Sequence, residues 1–252
     1  MFQWVPADWV AALDDVANEL LERGRMQSPP VDCLALADCL RIHVAYDASQ
    51  PGRARHKRIG GQSTVLVRPE ERPERLQWAV AHELGEAFAW RVFERVDADV
   101  DEGSPQLREH VANLMASRLL LPSRWFFGDA RRDCWDLARL KQRYSTASHE
   151  LIAYRFLDVE EPTTVSLFDQ GQLVRRTANI RSRAPRLTQV ERDCWSQAHR
   201  ENRSDERRSS SLIVQAWPVH EPGWKRELLR TTFAWHPDES QLPQEVALGS
   251  YD

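Results

Sequence analysis

Between Ala7 and Arg23 the apolar residues Trp9, Val10, Leu13, Val16, Ala17, Leu20 and Leu21 return every three or four positions, the spacing of one helical face. Gly24 marks the end of that helix. After the break at Ser28-Pro29-Pro30, Val31 to Leu40 predicts a short second helix with Leu34, Leu36, Ala37 and Leu40 inward. Ile42 to Tyr46 then alternates like a strand. The basic stretch Arg53 to Arg58, the pair Gly60-Gly61 and the β-branched run Ser63 to Arg68, closed by Pro69, predict a hairpin leading into a strand.

A long helix follows Arg72-Pro73, running from Glu74 to Val92 with Leu76, Ala79, Val80, Leu84, Ala87 and Phe88 as its buried stripe. An acidic loop, Asp97 to Glu102, closes it. Pro105 to Leu121 predicts a further helix ended by Pro122, and Cys134 to Tyr144 with His149 to Leu157 a pair of short ones. From Pro162 the pattern changes. Strands are expected at Thr163 to Phe168, Leu173 to Ile180 and Leu212 to Val219, a helix at Gln189 to Arg200, a charged loop at Arg203 to Ser211, and fraying over the last dozen residues.

Composition narrows the class. Hydrophobic residues make up 42% and charged residues 29% of 252, the balance of folded material long enough for more than one core. The net charge of -4 argues against a protein that wraps a phosphate backbone, so direct nucleic-acid binding is not expected. Cys33, Cys39, Cys134 and Cys194 are scattered without a C-x-x-C pair, as buried thiols of a reducing compartment would be. With no signal-peptide pattern and no long apolar run, a cytoplasmic protein without membrane contact is expected. Trp90, Trp125 and Trp135 are most simply core or near-core anchors.

The chemistry gathers at His82-Glu83-Leu84-Gly85-Glu86. Positions i and i+4 share a helical face, so His82 and Glu86 can converge on one ion with Glu83 beside them. In H-E-x-x-H two histidines hold zinc and the glutamate serves as general base; here a glutamate, also an acceptable zinc ligand, replaces the second histidine. The short motif alone also fits a solvated helix face. Its setting adds weight, because Gly85 inside a periodic helix costs about 1 kcal/mol relative to alanine and so suggests close packing at that turn. The stripe Glu109, Ala112, Ala116 and Leu120 would let a second helix approach there while Glu109 reaches the ion. His110 points about 100° away from Glu109 on an ideal helix and reads as an outer-shell or surface residue. Tyr144 and His149 are candidate oxyanion donors, though a packed tyrosine and a helix-start histidine explain them more simply.

Over roughly Val10 to Leu157 the chain resembles the ImmA/IrrE family of metallo-endopeptidases. The matching segments are Pro29 to Asp32 with Leu36-Ala37 and Ile42 to Val44, then Leu76 to Gly85, then Glu109 to Asn113 through Leu119 to Pro122. The resemblance implies His82 and Glu109 as zinc ligands, Glu83 as base, and Glu86 at the place of the second histidine. One carboxylate beside a divalent ion leaves a single positive charge; the two of Glu86 and Glu109 leave none, which admits Mn²⁺ or Fe²⁺ beside Zn²⁺. It also implies that the strand holding Thr64, Val65, Leu66 and Val67 edges a small sheet over the metal helix and takes substrate as a further strand. The implied partner is a helix-turn-helix transcriptional repressor.

The expected fold is α+β: a small antiparallel or mixed sheet with a gluzincin-like helix pair over residues 1–124, a helical connector over 125–160, and a mixed C-terminal domain over 161–252. The expected function is regulatory cleavage of a partner protein. Its rivals are a catalytically degenerate binding module that keeps the fold and a DNA-binding regulator that uses Arg139, Lys141, Arg143 and Arg155.

Overall fold

The structure is a computed structural model that describes residues 6–50, 52–98, 104–180 and 183–233. Most of the expected acidic loop and the C-terminal dozen lie outside them. The chain divides into two compact units, one ending at Arg155 and the other beginning at Phe156, and the fold is α+β, as expected.

The first unit opens with α1 (Ala7–Arg23), which buries Leu13, Val16, Leu20 and Leu21. Next comes α2 (Cys33–Cys39), whose N-cap Asp32 accepts the Leu34 and Ala35 amide protons. Strands β1 (His43–Tyr46), β2 (Ala54–Ile59) and β3 (Gln62–Val67) form a mixed sheet in the order β1-β3-β2. Gly60 (φ 57°) and Gly61 (φ 85°) turn β2 into β3, both in the left-handed region that the tightest hairpin turns require.

This order corrects one expectation. The strand of Thr64 to Val67 is not an edge: β3 pairs with β1 in parallel on one side and with β2 antiparallel on the other. Thr64, Val65 and Val67 are buried, because the most apolar strand gains most from the central position. The two edges are β1 and the basic β2.

Helix α3 (Pro73–Arg95) begins on Pro73, and α4 (Pro105–Leu120) on Pro105 behind the N-cap Ser104. The buried residues of α3 run around much of its circumference because it meets α1, α2, α4 and the sheet. Its Gln77 side chain accepts the Cys33 N–H at 2.7 Å and donates to Asp32 Oδ1 at 2.9 Å, tying α2 to α3. Helices α5 (Ser123–Arg132), α6 (Leu137–Arg143) and α7 (His149–Arg155) complete the unit. Helix α5 was not expected, since Gly128 and its many charges mask a narrow apolar face formed by Phe126 and Ala130.

The second unit follows a 3-10 turn at Phe156–Asp158. It holds an antiparallel sheet in the order β5-β4-β8-β7-β6, made of β4 (Thr163–Asp169), β5 (Gln172–Ala178), β6 (Asp205–Arg208), β7 (Leu212–Glu221) and β8 (Trp224–Phe233). Helix α8 (Gln189–Glu201) starts in a capping box between Thr188 and Glu191 and packs Cys194 and Ala198 against Val214, Ala216 and Leu229. Two of these strands depart from the sequence expectation. All four residues of β6 are charged, as suits a protected edge, and they had read as loop. The central strand β8 was missed because Lys225, Arg226, Glu227 and Arg230 hide its alternation.

Cys33 and Cys194 are buried and free, but Cys39 and Cys134 are exposed, against the expectation for all four. Burial pushes the Cys194 thiol up to about 12, beyond reactive thiolate chemistry at neutral pH. Trp90 is 47% exposed, so it is no core anchor. None of the described helices is long and apolar enough to cross a membrane.

Candidate metal centre

Helices α3 and α4 cross at Gly85. A Cβ there would lie 2.5 Å from the Ala112 carbonyl oxygen and 3.0 Å from Met115 Cβ, so only glycine allows this approach. Ala112, Ala116 and Leu120 are buried along α4, and Glu109, one turn before Ala112, comes beside His82, one turn before Gly85. His82 Nε2 lies 3.5 Å from Glu109 Oε2. One donor atom each from His82, Glu83 and Glu86 lies within 4.8 Å of the other two. All four predicted residues therefore meet at one place, with Glu109 joined through His82.

The four are held differently. His82 Nδ1 is 3.2 Å from Asn113 Oδ1, while Asn113 Nδ2 donates to the Glu109 carbonyl at 2.9 Å and to Glu109 Oε1 at 3.1 Å. With the amide nitrogen committed to Glu109, its oxygen accepts from His82 Nδ1–H. When the ring is neutral, its Nε2 lone pair is directed at the Glu109 carboxylate. Two acceptors facing each other call for a cation or a proton between them, so the donor set fits a divalent metal. Asn113 and its orienting role were visible in the resemblance only as a matching letter.

Glu83 is 6% exposed and its Oε2 accepts the His56 backbone N–H at 2.7 Å. Burial first, then the neighbouring Glu86, raises its carboxyl pKa, with Glu109 adding to the same effect against His56 and His82. The Arg68 N–H bonds the Arg53 carbonyl, and antiparallel pairs alternate. The backbone polar groups of Ala54, His56 and Arg58 therefore point to the free edge of β2, and Glu83 sits on that edge. The pattern of charges around His56 gave no hint of this. Its ring nitrogen Nε2 lies 2.6 Å from Ser63 Oγ.

Other candidates settle elsewhere. Tyr144 is buried, and its hydroxyl donates to Asp129 Oδ2 at 2.8 Å; burial and Asp129 raise its pKa beyond the usual range. His149 stands at the start of α7. His110 Nε2 is buried without a hydrogen-bond partner, and burial, then Arg118, lowers its pKa. Of the basic residues proposed for DNA contact, Lys141 bonds Glu74 and the carbonyls of Ser145 and Ala147. Arg143 faces Asp129 and Asp133, and Arg155 is buried against the Leu121 carbonyl.

A glycine-crossed helix pair bearing His-Glu-x-x-Glu, with a further glutamate across the crossing and an edge strand beside it, defines a metallopeptidase-like unit. Residues 37–157 match the family model of peptidase M78, described as the IrrE N-terminal-like domain. The match supports a regulatory, peptidase-type function and a metal-dependent chemistry. Among solved structures, a Mycobacterium tuberculosis transcriptional regulator is similar, with 18% identity, a TM-score of 0.63, and coverage of 88% of this chain and 87% of that one. At that identity the likeness concerns the fold. No curated protein matches the chain.

Proposed function

We propose that this protein is a metal-dependent endopeptidase that cleaves a partner protein as a regulatory switch, with His82, Glu86 and Glu109 holding the ion and Glu83 serving as base. The partner implied by the resemblance is a helix-turn-helix repressor, and the setting a reducing cytoplasm. The observation that carries this reading is the meeting of His82, Glu83 and Glu86 within 4.8 Å, beside Glu109, in a peptidase M78 domain. Zn²⁺ suits the imidazole, and the added carboxylate admits Mn²⁺ or Fe²⁺.

When bound, the ion would polarise the scissile carbonyl and make water more acidic. The protein's own groups do the rest. The His56 N–H holds one oxygen of Glu83, and the raised pKa makes that carboxylate a better proton acceptor than an exposed glutamate. An extended substrate segment would add along β2, bonding the outward groups of Ala54 and Arg58 and the His56 carbonyl, and so pass Glu83. The docking role once expected of Thr64, Val65, Leu66 and Val67 thus passes to β2.

Glu83→Gln tests the reading. The amide keeps the bond from His56 N–H but accepts no proton, so cleavage of a candidate repressor should be lost with metal content unchanged. Full cleavage by Glu83→Gln would refute the assignment of the base. A wild-type chain that holds no metal and cleaves nothing would leave the catalytically degenerate binding module.

A further inference from the structure

The second unit buries another set of donor atoms that the peptidase reading does not use. Glu191, Trp195 and His199 recur every four residues and line one face of α8. Glu227, Leu229 and Thr231 alternate along β8. At one end of this contact the buried Glu191 is matched by Arg176 at 2.8 Å and the Thr231 hydroxyl at 2.7 Å, a closed ion pair.

The other end is built differently. The Glu227 side chain is 0% exposed, and its Oε1 meets His199 Nδ1 at 2.8 Å and His220 Nε2 at 2.6 Å. Its Oε2 accepts the Trp195 Nε1–H at 3.0 Å, and the Trp195 ring is fixed by stacking on Phe168 at 4.7 Å. No lysine or arginine among the described residues is paired with Glu227. A buried carboxylate needs a compensating positive charge, and among its bonded partners only the two imidazoles can carry one.

We propose that His199, His220 and Glu227 form a binding site for a divalent transition-metal ion, with Zn²⁺ the best match to two imidazole nitrogens and one carboxylate. The three donor atoms lie within 4.8 Å of one another and come from α8, β7 and β8. Because His220 pairs with Lys225, two residues from Glu227, both side chains project from one face of the hairpin. Bonds of about 2.0–2.2 Å to an ion require its ligands to stand roughly 3.3 Å apart, so each imidazole need shift by only about half an ångström. The Trp195 N–H holds the second carboxylate oxygen, the outer-shell support that metal sites use. His199 and His220 keep 26% and 10% of their side-chain surface exposed, which leaves a fourth position open to water or a small ligand. A bound ion ties the end of α8 to the β7–β8 hairpin and stabilises the unit.

The test uses the full chain with His82→Ala and Glu109→Ala, which removes the first centre, titrated with Zn²⁺ alone. One equivalent should bind, Zn²⁺ should raise the melting temperature, and Co²⁺ in its place should give the visible bands of a low-symmetry site. Adding His220→Ala should weaken binding beyond the roughly 10–100-fold that follows loss of an outer-shell partner, and should abolish the thermal shift. His199→Ala, on the exposed end of α8, makes the same comparison if His220→Ala loses its near-UV circular dichroism. A folded background chain that takes up no stoichiometric Zn²⁺ would overturn the proposal in favour of a proton shared among the three groups. Unchanged binding in both histidine variants would overturn it equally.

Discussion

Alanine at Gly85 and alanine at Gly128 are the same chemical change in two helices, and the structure assigns them opposite outcomes. At Gly128, in α5, the new Cβ meets nothing within 4 Å. The change should stabilise the first unit by about 0.5–1 kcal/mol through the lower backbone entropy of the unfolded chain. At Gly85 the same gain is available, but the new Cβ falls 2.5 Å from the Ala112 carbonyl oxygen, almost 1 Å inside the 3.4 Å of ordinary contact. The obstacle is backbone, so α4 must move rather than a side chain swing away, and overpacking of this kind costs about 1–3 kcal/mol. The net expectation is a loss of about 1 kcal/mol, or roughly 2–4 °C in melting temperature for a unit of this size. The same displacement carries Glu109 away from His82, whose separation of 3.5 Å leaves little slack for a shared ion. Urea unfolding of both variants, with Zn²⁺ content measured on each, decides the matter. If Gly85→Ala matches Gly128→Ala in stability and keeps its metal, the glycine crossing does not position the site.

Three further outcomes can be checked directly. Proline at Arg58, whose N–H points off the free edge of β2, should leave the melting temperature within a few degrees yet reduce cleavage of an extended substrate, whereas Arg58→Ala should not; equal activity in both variants would rule out strand addition at that edge. Glu191 is buried, which raises its pKa, but the Thr188 N–H, Arg176 and Thr231 outweigh that and hold it below 4.5. Its stabilising effect is therefore complete above pH about 4.5 and lost as pH falls through the lower folded value. Glu191→Gln should cost about 3–5 kcal/mol at pH 7 and flatten the acid limb of the second unit's stability curve, and an unchanged acid limb would refute this. Glu86→His should tighten Zn²⁺ binding and move the acid limb of the cleavage profile to lower pH, because a centre with one carboxylate fewer is more positive; an unchanged profile in a Zn²⁺-loaded variant would show that Glu86 is no ligand.

What could be read from the chain follows from how each element is stabilised. Helix α1 and strand β3 announce themselves because local period and burial agree, and α4 because Pro105 and Pro122 bracket it. The glycine inside the expected long helix pointed to close packing, and the approach of Ala112 to Gly85 supplies the physical cause. Strand β8 was illegible for the opposite reason: charged residues such as Glu227 and Arg230 stand at buried positions, so the hydrophobic alternation that marks a strand is absent. The mistaken edge position of Thr64 to Val67 has the same origin. Pairing order depends on which neighbours find β3, and a parallel partner from His43 to Tyr46 lies across a long connection that leaves no local trace. Glu83 and His82 were legible as residue types, but their supports, the His56 N–H and Asn113, were not, since a backbone donor and a side-chain amide look the same wherever they fall.

Those supports divide the candidate centre into a rigid and a loose half. Glu83 is buried and bonded to β2, and His82 is oriented by Asn113, so the proposed base and one proposed ligand are in place before any ion arrives. Glu86 is exposed, and Glu109 keeps 62% of its side-chain surface; both carboxylates must be drawn in at a cost in side-chain freedom. Metal affinity should then rest on the ion's own attraction for two mobile carboxylates, and fall as acid protonates them or as the ring of His82 takes a proton. The base, by contrast, needs no such recruitment. On the proposed reading, such a centre would hold its geometry in the helix crossing and the edge strand and leave occupancy to the surrounding metal concentration, as a proteolytic switch requires.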